Sequence, residues 1–140
     1  MKPEVKLFIE KYNELCQLIA VGKMHRPIYS KDLAEDNNAA FVDFNDGHFQ
    51  YGGCERGSCT ISVETKNWDD CMFYAIKGAA FDLALSYELA HRIENQDFRI
   101  IFFNIMIKYM RQINGDWGSK LESELSEIAL RDGFNLQLKS

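Results

Sequence analysis

Cysteine and histidine are the residue types of this chain that are best suited to metal binding or nucleophilic catalysis. Cys54 and Cys59 form one loosely spaced pair, and Cys71, His48 and His91 stand apart from that pair in the sequence. A structural zinc site normally draws its four ligands from two closely spaced pairs. We therefore expect no metal site, and we expect the cysteines to be small buried or half-buried side chains.

Cys71 is the candidate nucleophile, because it lies near the predicted start of a helix, where the local field favours a thiolate. His91 is on the same predicted helix, about five turns away, or roughly 30 Å at 1.5 Å per residue. The two side chains cannot cooperate within one chain at that separation. We expect no Cys–His enzyme.

Two adjacent pairs of carboxylates, Asp69–Asp70 and Glu35–Asp36, are candidates for acid–base chemistry. Neighbouring residues on a helix do not face each other, so such pairs do not converge on one substrate. We interpret them as helix caps and solvated surface. The sequence contains no glycine-rich phosphate loop before a helix, no nucleophile elbow, no His-Glu-x-x-His motif and no dinucleotide fingerprint. We assign no catalytic residue and no cofactor.

Four charged residues, Glu88, Arg92, Asp97 and Arg99, surround the turn predicted between two long helices. Glu88 and Arg92 have the i, i+4 spacing at which side chains meet on a helix, and Asp97 is placed to cap the helix that Arg99 begins. Both a binding site and a structural ion-pair corner fit this pattern. We interpret it as the corner, because structural ion-pair networks often resemble sites.

The helices that position these residues follow from the hydrophobic pattern. Apolar residues recur at spacings of three and four over 1–22 and over 67–133, which predicts one N-terminal helix and three C-terminal helices. Phe98–Ile113 is apolar nearly all round, so we expect it to be the central helix of the bundle. Residues 23–38 have no period and predict a surface loop with one helical turn, and residues 134–140 predict a tail.

The segment 39–66 has the alternation of β-strands. Its turn signals, Asp46-Gly47 and Glu55-Arg56-Gly57, predict a three-stranded antiparallel meander, with Ile61 and Val63 on one face of the last strand. A sheet of this size needs a covering layer. We expect a single α+β domain over the whole chain, with the helices packed on the sheet.

Composition and charge narrow the class of protein. The 140 residues are 46% hydrophobic and 26% charged, as in ordinary globular proteins, and the net charge is −5. An acidic balance speaks against a surface that coats nucleic acid, which needs Lys and Arg. We see no signal-peptide pattern and no membrane-spanning run, so we expect a cytoplasmic protein with reduced cysteines and no disulfide between Cys54 and Cys59.

Short motifs follow one another from Ala40 to Phe134 in an order and spacing that resemble the immunity protein 63 family of bacterial polymorphic toxin systems. They are Phe41-Val42-Asp43, Asp46-Gly47-His48-Phe49-Gln50-Tyr51, Glu55-Arg56-Gly57, Trp68-Asp69-Asp70-Cys71-Met72-Phe73-Tyr74, Ala80-Phe81-Asp82-Leu83-Ala84, Asp97-Phe98-Arg99, Ile113-Asn114-Gly115-Asp116-Trp117 and Gly133-Phe134.

The resemblance implies a cytoplasmic, non-enzymatic antidote that binds one cognate toxin domain, as in contact-dependent growth inhibition systems. Many such toxins are nucleases with basic clefts, which an acidic inhibitor can approach by electrostatic steering and then occlude. The resemblance implies no partner among nucleic acids or membranes. Whether the chain associates with itself stays open.

We place the toxin-binding surface on the loop from Tyr29 to Asn37 and on the two hairpin turns. The loop is long, aperiodic and acidic, and a tyrosine among carboxylates is typical of an anchor within a polar rim. The outer face of the last helix, around Glu122 and Glu124, is the alternative. The predicted toxin-binding residues are Tyr29, Asp32, Glu35, Asp36, Asp46 and Glu55.

Two other function classes stay open at this point. A regulatory or adaptor domain would bind a different protein through the same kind of fold, and only the identity of the partner separates it from an antidote. A small enzyme with a dispersed site predicts a deep pocket with convergent polar groups and shifted pKa values, whereas an inhibitor predicts a flatter acidic face.

Overall fold

A computed structural model describes residues 1–136 of the chain, and this part has the expected α+β composition. It contains five helices and four strands. In chain order they are α1 (Pro3–Cys16), β1 (Ile28–Ser30), α2 (Lys31–Asn37), β2 (Ala40–Asn45), β3 (His48–Glu55), β4 (Ser58–Thr65), α3 (Trp68–Ala90), α4 (Arg99–Ile113) and α5 (Gly115–Asp132).

The sheet has four strands rather than the predicted three, in the order β1-β2-β3-β4. β1 pairs in parallel with the start of β2, and the other neighbours are antiparallel. The extra strand and α2 both come from residues 23–38, where the sequence predicted a loop with one helical turn. The helical turn is present as part of α2, whereas the strand β1 was not predicted. β1 has only three residues, too few to show an alternation, and its pairing with 40–42 defines it.

The two faces of the sheet have different covers. Val42 and Phe49 belong to the main core, which α1 and α3 close from one side. On the opposite face Phe41 and Cys54 form a separate small cluster with Ala34 of α2. The helix α2 is thus a second, local cover on the face that the long helices leave open.

A β-bulge in β4 overturns the prediction that Ile61 and Val63 share a face. Val63 pairs with Tyr51 and Ile61 pairs with Gly52, so Ser62 is an extra residue on β4. Because paired residues lie on the same face and Tyr51 and Gly52 are consecutive, Ile61 and Val63 point to opposite sides. Ile61 lies on the α2 side of the sheet and is 45% exposed.

Helix boundaries follow the capping signals. Asn67 accepts a hydrogen bond from the backbone N–H of Asp70 at 3.1 Å, and Asn114 caps α5 in the same way. Gly133 ends α5 with φ 77°, the left-handed conformation that suits glycine. The first helix ends at Cys16, earlier than the predicted residue 22, and turns carry the chain to Ala20.

The helix α4 lies between α3 and α5 but is not enclosed on all sides. One face of α4 is buried, while Ile101 and Ile105 on its outer face are only half-buried. The helix that contacts α1, the sheet and α4 together is α3, whose interior is rich in alanine and permits close packing. α4 is therefore the middle helix of the three C-terminal helices, as predicted, although its outer face is only half-buried.

The predicted tail is not free over its described part. Leu136 is buried, and its backbone carbonyl accepts a hydrogen bond from Asn104 of α4. Residues 137–140 of the predicted tail lie outside the described residues. Over residues 1–136, no helix combines the length and the apolar character needed to cross a membrane.

Candidate functional site

The carboxylates of α2 lie at the end of the sheet where β3 turns into β4. Asp32, Glu35 and Asp36 are exposed, and no ion pair engages them within residues 1–136. Glu55 is exposed at the end of β3, next to the same turn. We call these four residues the acidic end.

Two hydrogen bonds, one to the Asn38 side chain and one between backbone groups, hold α2 and the β3–β4 turn together. Asn38, which ends α2 in the left-handed conformation (φ 49°), accepts a hydrogen bond from the Arg56 N–H at 2.9 Å. The N–H of Cys54 donates to the carbonyl of Ala39, also at 2.9 Å. Four of the six predicted toxin-binding residues therefore share one end of the molecule.

Tyr29 lies at the border of this region. It is half-buried on β1, where it packs against the cluster of Ala34, Phe41 and Cys54. With Glu55 it lines a groove of about 760 Å³. The structure thus joins Tyr29 to the acidic end, as a partly packed residue rather than a free loop side chain.

Asp46 is not part of this surface. It occupies the β2–β3 turn with φ 52°, before Gly47 with φ 76°. That turn is at the opposite end of β2 from α2, roughly 20 Å away at about 3.4 Å per residue. Its surroundings include Lys2, whose ammonium binds Asp43, the Phe44 carbonyl and Asn45. Asp46 does not meet the other five predicted residues.

The groove beside Tyr29 is lined on its sheet side by small and polar residues. Gly53 contributes no side chain, and an added Cβ there would meet nothing within 4 Å. Tyr51 and Arg26 form its inner wall. The groove is therefore an open depression with a mixed polar and apolar lining that a side chain of a partner protein can enter.

Arg26 is a site residue that the sequence did not indicate. Its guanidinium donates two hydrogen bonds to Asp82 of α3, at 2.7 and 2.6 Å, and Tyr51 lies beside it. The hydrogen bonds from Arg26 to Asp82 raise the pKa of the guanidinium further above its ordinary value. Burial raises the pKa of Tyr51 above its ordinary value. The only signal in the sequence was an arginine next to Pro27 in an aperiodic segment.

Cys54 and Cys59 form a disulfide, which corrects the expectation that all four cysteines are reduced. The two residues are directly paired across the β3–β4 hairpin, with Cα atoms 4.0 Å apart. Glu35 Oε1 lies 3.8 Å from Cys59 Sγ, so the disulfide borders the acidic end. The expectation of reduced cysteines rested on the predicted cytoplasmic location and not on the positions of the two cysteines in the fold.

The other two cysteines are buried thiols. Burial raises the pKa of Cys71 to about 12 and that of Cys16 to about 11. A thiol in this state is the opposite of an activated nucleophile. Within residues 1–136, no group of three or more His, Cys, Asp or Glu side chains is arranged to hold a metal ion.

The predicted ion-pair corner consists of two separate pairs. Arg92 donates two hydrogen bonds to the fully covered carboxylate of Glu88, at 2.6 and 3.1 Å, and these bonds lower the pKa of Glu88. Arg99 binds Asp97 and also Asp132 of α5 at 2.7 Å. Asp132 is thus a partner that the sequence did not indicate. The contact between Arg99 and Asp132 connects the start of α4 to the end of α5.

The alternative acidic surface on α5 is largely neutralised within the chain. Glu122 binds Arg111 of α4, and Glu124 binds Lys77 of α3 at 3.0 Å. Carboxylates that are already paired have less charge to offer a basic partner. This observation favours the acidic end over α5.

Comparison with known proteins gives one match. The sequence model of the immunity protein 63 family matches residues 45–127, which is more than half of the chain. No curated protein and no solved structure matches the chain. The matched residues run from the β2–β3 turn into α5, so α1, β1, α2 and nearly all of β2 lie outside the match.

Proposed function

The chain belongs to the immunity protein 63 family, and on that basis we propose that it binds and neutralises a cognate bacterial toxin domain. We propose that it does so without catalysis, by covering the active site of the toxin or the path of its substrate. The observation that carries the location of the contact is the acidic end, a group of exposed carboxylates without ion-pair partners among residues 1–136, of which Glu55 lines an open groove.

The charge pattern favours a basic partner. The acidic end concentrates four of the 21 carboxylates of a chain whose net charge is −5. Complementary charge accelerates association and suppresses wrong partners, more than it adds affinity. A nuclease domain, whose cleft must attract phosphates, is the class of toxin that this surface suits best.

The first test is whether the gene immediately upstream encodes a secreted protein with a C-terminal toxin domain, and the second is the kinetics of association with that domain. Reversal of Asp32, Glu35 and Asp36 to Lys is expected to slow association by on the order of tenfold or more at low ionic strength. The loss should shrink at high salt, because exposed charges are screened beyond about 10 Å at 0.1 M.

A matched control reverses three exposed carboxylates elsewhere, Glu10, Glu94 and Glu127, which changes the net charge equally. Equal slowing by both triple variants would show that net charge, not the acidic end, controls association. Failure of the wild-type chain to bind the toxin would overturn the proposed function itself.

Substitution of Tyr29 tests whether its ring anchors the toxin in the interface. Tyr29→Ala is expected mainly to speed dissociation of the toxin, because loss of a buried aromatic anchor acts on the dissociation rate. Since the ring also packs on the Phe41 cluster, Tyr29→Phe serves as a second variant that keeps this packing. If both triple reversal of the carboxylates and Tyr29→Ala leave the kinetics unchanged in folded protein, the interface is elsewhere.

A further inference from the structure

The outer edge of β4 is open. β4 is eight residues long and ends the strand order, with β3 as its only strand neighbour within the described chain. The covering helix α2 packs on β1, β2 and β3. An unpaired edge presents backbone N–H and C=O groups that can template a further strand.

The backbone directions along this edge follow from one hydrogen bond. The N–H of Cys54 donates to Ala39 on the β2 side, so Cys54 turns its backbone groups away from β4. Cys54 and Cys59 are therefore a non-hydrogen-bonded pair, and the N–H and C=O of Cys59 point out of the sheet. Because this direction alternates along a strand, the backbone N–H and C=O of Thr60 point toward β3, and those of Ile61 point out of the sheet again.

The β-bulge limits the length of the β4 edge that can pair with an added strand. Ser62 is the extra residue, so the regular alternation that begins at the hairpin ends after Ile61. The open segment is thus 58–61, at the same end of the sheet as the acidic end. Its side chains toward α2 are Cys59 and the 45% exposed Ile61.

We propose that an extended segment of the toxin domain adds to β4 as a fifth strand, pairing its backbone with Cys59 and Ile61. This proposal rests on the proposed function and specifies the mode of binding. Residues of an added strand that lie opposite Cys59 point toward α2, where Glu35 Oε1 is 3.8 Å from Cys59 Sγ. The chemistry of the partner is therefore an extended strand with a basic side chain at that position and an apolar one near Ile61.

The charge near the β4 edge favours a toxin strand over a second copy of the chain as the partner of this edge. Pairing of two β4 edges around Thr60 would place both α2 helices on the same face of one continuous sheet. The two Glu35 carboxylates would then flank the same junction, with Asp32 and Asp36 close by on each side. Like charges at such a junction repel, whereas a basic toxin strand is attracted.

The test compares Ile61→Pro with Ile61→Ala. Proline removes the outward N–H of residue 61 and leaves the bonds of Thr60 to β3 in place, while alanine removes only the side chain. We expect the toxin domain to bind Ile61→Pro at least tenfold more weakly than Ile61→Ala. Equal binding by the two variants, with circular dichroism unchanged, would overturn the proposal but leave the proposed function standing.

Amide hydrogen exchange on the wild-type chain provides a measurement that needs no variant. On addition of the toxin domain, exchange at Cys59 and Ile61 is expected to slow at least tenfold, while Thr60, already bonded to β3, serves as the internal reference. Unchanged exchange at Cys59 and Ile61 in a saturated complex would overturn the proposal. So would a dimer of the chain alone that Ile61→Pro dissociates, since the edge would then belong to a second copy.

Discussion

Arg26 donates two hydrogen bonds to Asp82, a residue 56 positions later in the chain, and so connects the segment before β1 to the middle of α3. Asp82→Ala leaves the guanidinium without its partner. Since both side chains are about a third or more exposed, we expect a loss of only about 1–2 kcal/mol in the free energy of unfolding. Urea unfolding measures it.

The control for this pair is the exposed ion pair between Lys11 and Glu14. Glu14→Ala is expected to change the free energy of unfolding by less than about 0.5 kcal/mol. If Asp82→Ala costs no more than Glu14→Ala, the Arg26 contact does not stabilise the fold.

Adjacent glycines in β3 differ sharply in the space around them. A Cβ at Gly52 would come within 2.0 Å of the Thr60 carbonyl oxygen and 2.9 Å of the Phe41 ring, whereas a Cβ at Gly53 would meet nothing. We expect Gly52→Ala to destabilise the protein by about 2–3 kcal/mol through backbone displacement, and Gly53→Ala to be nearly neutral. Thermal or urea unfolding of the two variants side by side tests this, and similar stabilities would contradict it.

Thiol counting tests the state of the cysteines. Unfolded protein that was never reduced should show two reactive thiols, and reduction should raise the number to four. In the native state Cys16 and Cys71 should react slowly at pH 8, because burial raises their pKa values to about 11 and about 12. Four reactive thiols in unreduced, unfolded protein would exclude the disulfide.

Arg92→Ala is expected to lower the melting temperature, because it removes the guanidinium that donates two hydrogen bonds to the Glu88 carboxylate. The double variant Glu88→Gln with Arg92→Met removes both charges and is expected to recover part of the loss. An unchanged melting temperature for Arg92→Ala together with lost toxin binding would assign the corner to the interface instead.

Acid should weaken the contacts of Arg99. Hydrogen bonds from Arg99 lower the pKa of Asp97, and those from Arg131 and Arg99 lower that of Asp132, in each case below the ordinary value of 3.8. Their stabilisation is therefore complete above about pH 4 and is lost as the pH falls through the folded-state values. We expect Arg99→Gln to flatten the fall in unfolding free energy below pH 4. An acid profile identical to the wild type would show that these pairs add no stability.

The sequence predicted elements whose signals are local. The turn at Asp46-Gly47 and the i, i+4 contact between Glu88 and Arg92 are where their residue types indicated. These features depend on a few neighbouring residues and on short-range hydrogen bonds.

The features that the sequence missed depend on contacts between distant segments. β1 exists through its pairing with 40–42, and the bulge at Ser62 is defined only by its register against β3. Arg26 finds Asp82 only once the chain has folded. The same reason explains the candidate site, since Tyr29 and Glu55 meet at one groove while Asp46 is carried to the other end of the sheet.

The helix α2 contributes one buried residue, Ala34, to the fold, and it lies outside the segment that matches the family. Its remaining positions can therefore change with little cost in folding, while β3, β4 and the long helices stay as they are. If α2 contacts the toxin as proposed, the residues for recognition and those for the scaffold are separated along the chain. Exchange of one seven-residue helix would then be sufficient to change the toxin that is recognised.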